Sequence, residues 1–341
     1  MIMKSSIYIT SILIAFSIVS AVNATPLGVP DSNNIPWYNN EKPSDDLIHL
    51  GKVLFFDNRL VPEENQSCAS CHDPNMGFSD GVALDLKHDG KKDKRNSPHI
   101  YNLAWAPIIH WDGRTKKKCY TPDDTKEKTC LPPLEGQAFK SMKKRGVYTS
   151  FIPKIKANQE YRNLFVKAFP PNGEITHANM AIAMGAFERT LVSNNSAFDR
   201  FMKGDKNALT PEAKRGMALY EGKANCIACH DGANFTDHSF HNIGLASDDK
   251  GRGAKLKLPS MQGAFKTPGL RNATLTAPYM HDGSLASLEE VIKFYNRGGD
   301  NKDNQSATIK PLNLSDHEIW DLVAFLSSLT DPILVERPAI P

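Results

Sequence analysis

The sequence predicts a mainly α-helical fold with long loops and little strand, organised as two similar halves. Three observations predict it. Apolar residues recur at helical spacing in several stretches, while no segment shows the alternation of a strand-rich region. The 341 residues exceed one typical domain and are enough for two cores. Two strings of one pattern, Cys68-Ala69-Ser70-Cys71-His72 and Cys226-Ile227-Ala228-Cys229-His230, lie 158 residues apart.

In chain order, residues 1–24 read as a secretory leader. Lys4 gives the positive start, Ile7 to Val22 the apolar stretch, and Val22-Asn23-Ala24 the small-residue exit. An uncleaved anchor is the competing reading, although the stretch is short of the roughly 20 residues needed to span a bilayer. Charges interrupt every later apolar run, so no membrane span is expected after processing, and the compartment permits disulfides. Residues 25 to about 45 form an extended Pro- and Asn-rich arm, and Leu47 to Phe56 opens the first half. From Lys87 to Arg145 the chain reads as loop-like and basic, with 15 Lys/Arg against 7 Asp/Glu. Ala178 to Val192 reads as a helix, apolar at Met180, Ile182, Ala183, Ala186, Phe187 and Leu191. Leu209 begins the second half, with Thr210 as N-cap and Pro211 at the first helical position. Ser315-Asp316-His317-Glu318 is a capping box opening a helix with Ile319, Leu322, Val323 and Leu326 on one face. The expected division is a leader at 1–24, an N-terminal domain at 25–195 that holds the first Cys-x-x-Cys-His string, and a C-terminal domain at 196–341 that holds the second.

Bulk composition excludes a nucleic-acid binder, because the net charge is only +3. Six cysteines are too few for a disulfide scaffold. Cys-x-x-Cys-His is the pattern of covalent c-type haem attachment: two thiols one turn apart add to the vinyl groups, and the adjoining histidine becomes the iron's proximal ligand. A zinc site and a thiol–disulfide motif compete for such spacing, but neither needs the histidine that follows both strings. Gly51-Lys52-Val53-Leu54-Phe55 before the first string is echoed by Gly216-Met217-Ala218-Leu219-Tyr220 before the second. The remaining pair, Cys119 and Cys130, brackets a short polar insertion and is expected to close as a disulfide, stabilising by roughly 2–3 kcal/mol.

Further strings carry a resemblance. They are Gly77-Phe78-Ser79-Asp80-Gly81, Arg95-Asn96-Ser97-Pro98, Trp111-Asp112-Gly113-Arg114, Phe240-His241-Asn242-Ile243-Gly244-Leu245, Lys266-Thr267-Pro268-Gly269-Leu270-Arg271-Asn272 and Leu275-Thr276-Ala277-Pro278-Tyr279-Met280-His281-Asp282-Gly283, with Phe294-Tyr295-Asn296 beyond. In this order they resemble the bacterial di-haem cytochrome c peroxidase superfamily, its MauG-type branch most closely. The resemblance implies two packed cytochrome-c-like domains around an inter-haem interface, with one Ca²⁺ between them. It further implies hydrogen peroxide as oxidant at the N-terminal haem, the C-terminal haem as relay, and in the MauG-type branch two irons that together hold the oxidising equivalents.

Residue by residue, Trp111 resembles the family's tryptophan between the haems. Asn96, Thr276 and Pro278 match its calcium ligands, one side-chain amide oxygen and two backbone carbonyls, which suit a hard cation. At the second iron, Met280 is the ligand a typical cytochrome c would use. Tyr295 sits where the MauG-type branch carries its tyrosine, and a phenolate favours oxidised iron. Gln137 is a candidate for the distal pocket of the first haem. Two features depart from the pattern. After Leu134-Glu135-Gly136-Gln137-Ala138 no carboxylate appears before Glu160, where the family places a proton-moving glutamate. His88 matches the histidine that blocks the first iron in resting peroxidases, yet in the MauG-type branch that position is not a ligand, and the polar loop Lys87-His88-Asp89-Gly90 also suits a solvated histidine.

The function expected from the resemblance is periplasmic: a di-haem enzyme that uses hydrogen peroxide to oxidise tryptophan or another aromatic side chain of a protein substrate by long-range electron transfer. The alternative is a peroxide-scavenging peroxidase fed by a small cytochrome or cupredoxin, and a di-haem electron carrier stands third. The basic stretch around Trp111 reads either as solvated surface or as a docking face for an acidic partner.

Overall fold

A computed structural model describes residues 24–61, 63, 65–87, 89–121 and 128–341. The apolar leader and His88 lie outside the described residues. The helices are α1 (Asp45–Phe56), α2 (Pro133–Lys144), α3 (Val147–Ser150), α4 (Ile152–Ala157), α5 (Gln159–Ala168), α6 (His177–Glu188), α7 (Ala197–Met202), α8 (Pro211–Glu221), α9 (Gly251–Leu256), α10 (Leu288–Asn296) and α11 (Asp316–Ser327). Strands occur only as three antiparallel ribbons among the described residues. They are β1 (Ile108–Ile109) with β2 (Thr115–Lys116), β3 (Lys118–Tyr120) with β4 (Thr129–Leu131), and β5 (Phe240–His241) with β6 (Phe265–Lys266).

Two helix pairs organise the molecule, α1 on α6 and α8 on α11. The caps are those that the sequence signals: Thr210 Oγ1 accepts from Ala213 N at 3.2 Å, and Ser315 with Glu318 forms the reciprocal box. The two pairs cross in the same way. A Cβ on Gly51 would run into the Ala183 carbonyl, and one on Gly216 into the Asp321 carbonyl. The glycines of the sequence echo are therefore crossing points that let two backbones touch. Around the first pair, Leu50, Val53 and Leu54 pack with Phe139, Phe165 and Met180; around the second, Phe198, Tyr220, Phe235 and Phe325 pack edge to face. α6 is buried almost all round because α1 and α2 both cover it.

Two expectations need correction. The basic stretch is not loop throughout: the β3–β4 ribbon and α2 fall within it. Leu134, Ala138, Phe139 and Met142 give α2 an apolar face, buried in the first core. The extended arm also does not stay beside the first half. Thr25 N donates to Asp231 Oδ2 at 2.7 Å, and Leu27 is buried in the second core. The C-terminal tail makes the reverse crossing, with Ile340 against the first core and the Pro341 carbonyl accepting from Arg59 at 2.8 Å.

Alanine at Gly51 or Gly216 improves local helix propensity by about 1 kcal/mol but forces two helices apart. Overpacking costs about 1–3 kcal/mol, so either substitution is expected to destabilise. Thermal unfolding of the haem-loaded protein checks this, and an unchanged or raised Tm contradicts it.

Candidate haem sites and the seam between them

Each Cys-x-x-Cys-His string forms a single 3-10 turn, Cys68–Ser70 and Cys226–Ala228. His72 N donates to Cys68 O at 3.0 Å and His230 N to Cys226 O at 2.9 Å, which sets each histidine one turn from its first thiol. Both imidazoles are held alike. Nδ1 of His72 lies 3.1 Å from Phe78 O, and Nδ1 of His230 lies 3.0 Å from Phe235 O. A carbonyl only accepts, so Nδ1 carries the proton and Nε2 is left as the ligand atom. Phe78 and Phe235 present those carbonyls from left-handed backbone, φ 57° and 54°, with both side chains fully buried. Burial pushes both imidazoles below their usual range, keeping them neutral as metal binding requires. Cys68, Cys71, Cys226 and Cys229 are free thiols, whereas Cys119 and Cys130 face each other across β3–β4 and are disulfide-bonded. Two thiols and a neutral, oriented imidazole, present twice, fit c-type haem.

Trp111 lies in the turn between β1 and β2. Its indole Nε1 donates to Asn96 O at 3.0 Å, its carbonyl accepts from Lys266 N at 2.7 Å, and its ring meets His281 edge-on at 6.5 Å. Ion pairs clamp the same seam. Arg95 bridges Asp112 at 2.8 Å and Asp249 at 2.7 Å, and Arg252 donates to the Asp112 and Gly113 carbonyls while stacking over Phe240. Segments from both halves thus converge on the indole.

Asn96 N donates to His281 O at 2.8 Å, which draws Asn96 toward the 276–281 loop. Its Nδ2 donates to Val82 O at 2.8 Å. Among the described residues, Asn96 Oδ1 and the carbonyls of Thr276 and Pro278 accept no hydrogen bond, a set of neutral oxygens suited to a hard cation. Gln137 stands on α2 one turn before Lys140, whose Nζ donates to Arg114 O at 3.0 Å and Thr115 Oγ1 at 3.3 Å, so this face of α2 covers the Trp111 turn. Tyr295, in α10, is close enough to the second string for Cys229 and Cys226 to act on it electrostatically, and burial above all raises its hydroxyl. Met280 has left-handed backbone, φ 74°, in the loop whose next residue meets Trp111.

Sequence reasoning missed several buried groups. Lys266 Nζ donates to the Thr267 carbonyl at 2.7 Å, and burial brings its amine down to about 8. Burial pushes the Glu188 carboxyl up to about 8, the Glu135 charge adding and Arg189 opposing. His110 stands immediately before Trp111, and that adjacency was its only signal.

Comparison with known proteins decides the family. Residues 45–207 match the di-haem cytochrome c peroxidase family and residues 213–330 match cytochrome c. Methylamine utilization protein MauG of Methylorubrum extorquens is 40% identical, over 86% of this chain and 81% of that protein. The chain belongs to the di-haem cytochrome c peroxidase family. Cytochrome c551 peroxidase of Pseudomonas aeruginosa is 32% identical, over 93% and 88% of the two chains. A solved MauG-like protein associated with microbial copper homeostasis superposes with a TM-score of 0.74 at 29% identity, covering 92% of this chain and 95% of that one. The protein is thus a MauG-like oxidoreductase with two c-type haems in two cytochrome c domains. Among the described residues no helix is long and apolar enough to cross a membrane.

A carboxyl raised by burial keeps its proton in the folded chain after the unfolded chain has released it. Glu188 therefore makes folding stability fall as pH rises from about 5 to 8. In Glu188→Gln the slope of stability against pH over that range is expected to flatten in denaturant titrations, and an unchanged slope contradicts the assignment.

Proposed function

We propose that this enzyme is exported to the periplasm and uses hydrogen peroxide to oxidise an aromatic side chain, tryptophan in the first instance, of a docked protein. The observation that carries this reading is the seam at Trp111, where one indole is fastened by Asn96 from its own half and by Lys266 from the other. When bound at His72 and His230, the two haems would supply the redox chemistry, with hydrogen peroxide as the oxidant at the first and the second as its redox partner. Trp111 would be the relay between them, since an indole held at both its N–H and its backbone carbonyl reorganises little when it passes an electron. Tyr295 would supply an oxygen ligand to the second iron, and a phenolate there would favour keeping oxidising power over accepting electrons from a donor. Asn96, Thr276 and Pro278 hold Ca²⁺ beside the relay, and Gln137 faces the peroxide side of the first haem.

The partner is acidic. Lys118, Arg114 and Lys255 all act on Lys140, whose amine is lowered first by burial and then by these like charges, so cations from both halves gather beside the Trp111 turn. Such a face attracts an acidic surface from a distance.

The test is one equivalent of hydrogen peroxide added to the purified diferric protein with no donor present. Optical and Mössbauer spectra are expected to show both irons oxidised in a long-lived state that decays when the protein substrate is added. Rapid return to ferric only on supplying a reduced cytochrome or cupredoxin contradicts the proposal and makes the protein a peroxide-disposing peroxidase.

A further inference from the structure

We propose that His110 is the proton-handling residue of the first haem pocket, serving where the chain has no carboxylate for that task. Between Gln137 and Lys144, α2 carries no acid, and the Glu135 carboxylate just before it is bound to Arg189 at 2.9 Å. A peroxide pocket on this face needs another group that both accepts and returns a proton.

His110 follows β1 and begins the turn that carries Trp111. The turn is gripped from α2 by Lys140, one helical turn from Gln137, and β1 and β2 both pack on α2, so the turn that His110 begins lies against the helix that carries Gln137. The imidazole is half-buried, and it lies near enough to His72 for the two rings to influence each other's protonation. The groups around it are Arg114 and Asp112 from its own turn, Lys140 from α2, and His72 from the haem string. Burial first, then Arg114, brings it down to about 3, Asp112 opposing and Lys140 and His72 adding, so the ring is neutral across the working range. Among the described residues its ring makes no hydrogen bond, although Gly113 N donates to its backbone carbonyl at 3.0 Å. Its backbone is left-handed, φ 68°, a region that histidine enters more readily than most side chains. A neutral imidazole offers one lone pair and one N–H together, which a carboxylate at neutral pH does not.

The step balances on one proton. The free ring nitrogen takes the proton from the nearer oxygen of hydrogen peroxide, and the imidazolium returns one proton to the farther oxygen. As the O–O bond breaks, that oxygen leaves as water with the bonding pair. The two electrons required are those that the family's peroxide reduction already draws from the haem pair. His110 ends as it began.

The inference rests on peroxide reacting at the first haem and is independent of what is oxidised afterwards. Its test uses the haem-loaded protein with His110→Asn and His110→Gly, two residues that accept the left-handed backbone. Cyanide, a ligand that sheds a proton on binding, gives a readout separate from turnover. Cyanide association and the first optical phase after peroxide are both expected to slow by about 10²- to 10⁴-fold, with two haems per chain and the resting spectrum unchanged. Unaltered rates overturn the proposal. A changed resting spectrum also overturns it, because His110 would then be an iron ligand. Should the variants load less haem, the rates are taken for the loaded fraction alone: slowing there supports His110, and unaltered rates there refute it. A wild type that reacts normally with cyanide and peroxide but oxidises no protein would sink the proposed function while leaving His110 in place.

Discussion

Two backbone carbonyls, one from Phe78 and one from Phe235, fix the direction in which each haem-string histidine can bind metal. An imidazole whose Nδ1–H is spent on a buried carbonyl has one ligand atom left and one orientation in which to use it. The rest of the structure serves that constraint. The left-handed phenylalanines are locked by full burial, and the edge-to-face cluster of Phe198, Tyr220, Phe235 and Phe325 holds the second of them. Beneath each string a helix pair crosses at a glycine, so the haem-bearing turn rests on a support that cannot slide without breaking a core.

With both ligand directions fixed, what the halves do together depends on the seam. Arg95 is only 17% exposed and its partner Asp112 2%, so water screens this pair weakly and the loss of either partner would strand a buried charge. The same ion pairs fasten the turn that holds Trp111 against the β5–β6 ribbon. The crossed ends add a second connection, the first residues of the described chain packing on the far core and the last residues on the near one. An electron relay benefits from such rigidity because transfer over distance is sensitive to small displacements of the bridging group.

The parts of this architecture that depend on local chemistry were legible in the sequence. The two haem strings, the Thr210 and Ser315 caps and the paired Gly51 and Gly216 runs all appear in the structure where their residue types place them. What escaped depends on distant contacts. α2 was hidden because counting charges from Lys87 to Arg145 drew attention from the spacing of Leu134, Ala138, Phe139 and Met142. The destination of Leu27 could not be read, since an apolar residue in an arm does not say which core it will enter. The carbonyls that orient His72 and His230 belong to phenylalanines whose side chains say nothing about their backbone oxygens. Of the candidate site, the attachment residues were plain and Trp111 was reached through resemblance, while His110 became visible only in the fold, in the turn that packs on α2.

The central claim is that an indole joins two haems whose second iron is held by an oxygen rather than a sulfur. A diffraction structure of the haem-loaded diferric protein tests it most directly. The account predicts the Tyr295 oxygen opposite His230 on the second iron and the Trp111 ring in the gap between the porphyrins. Met280 sulfur on that iron, or an indole turned out of the gap, would contradict it.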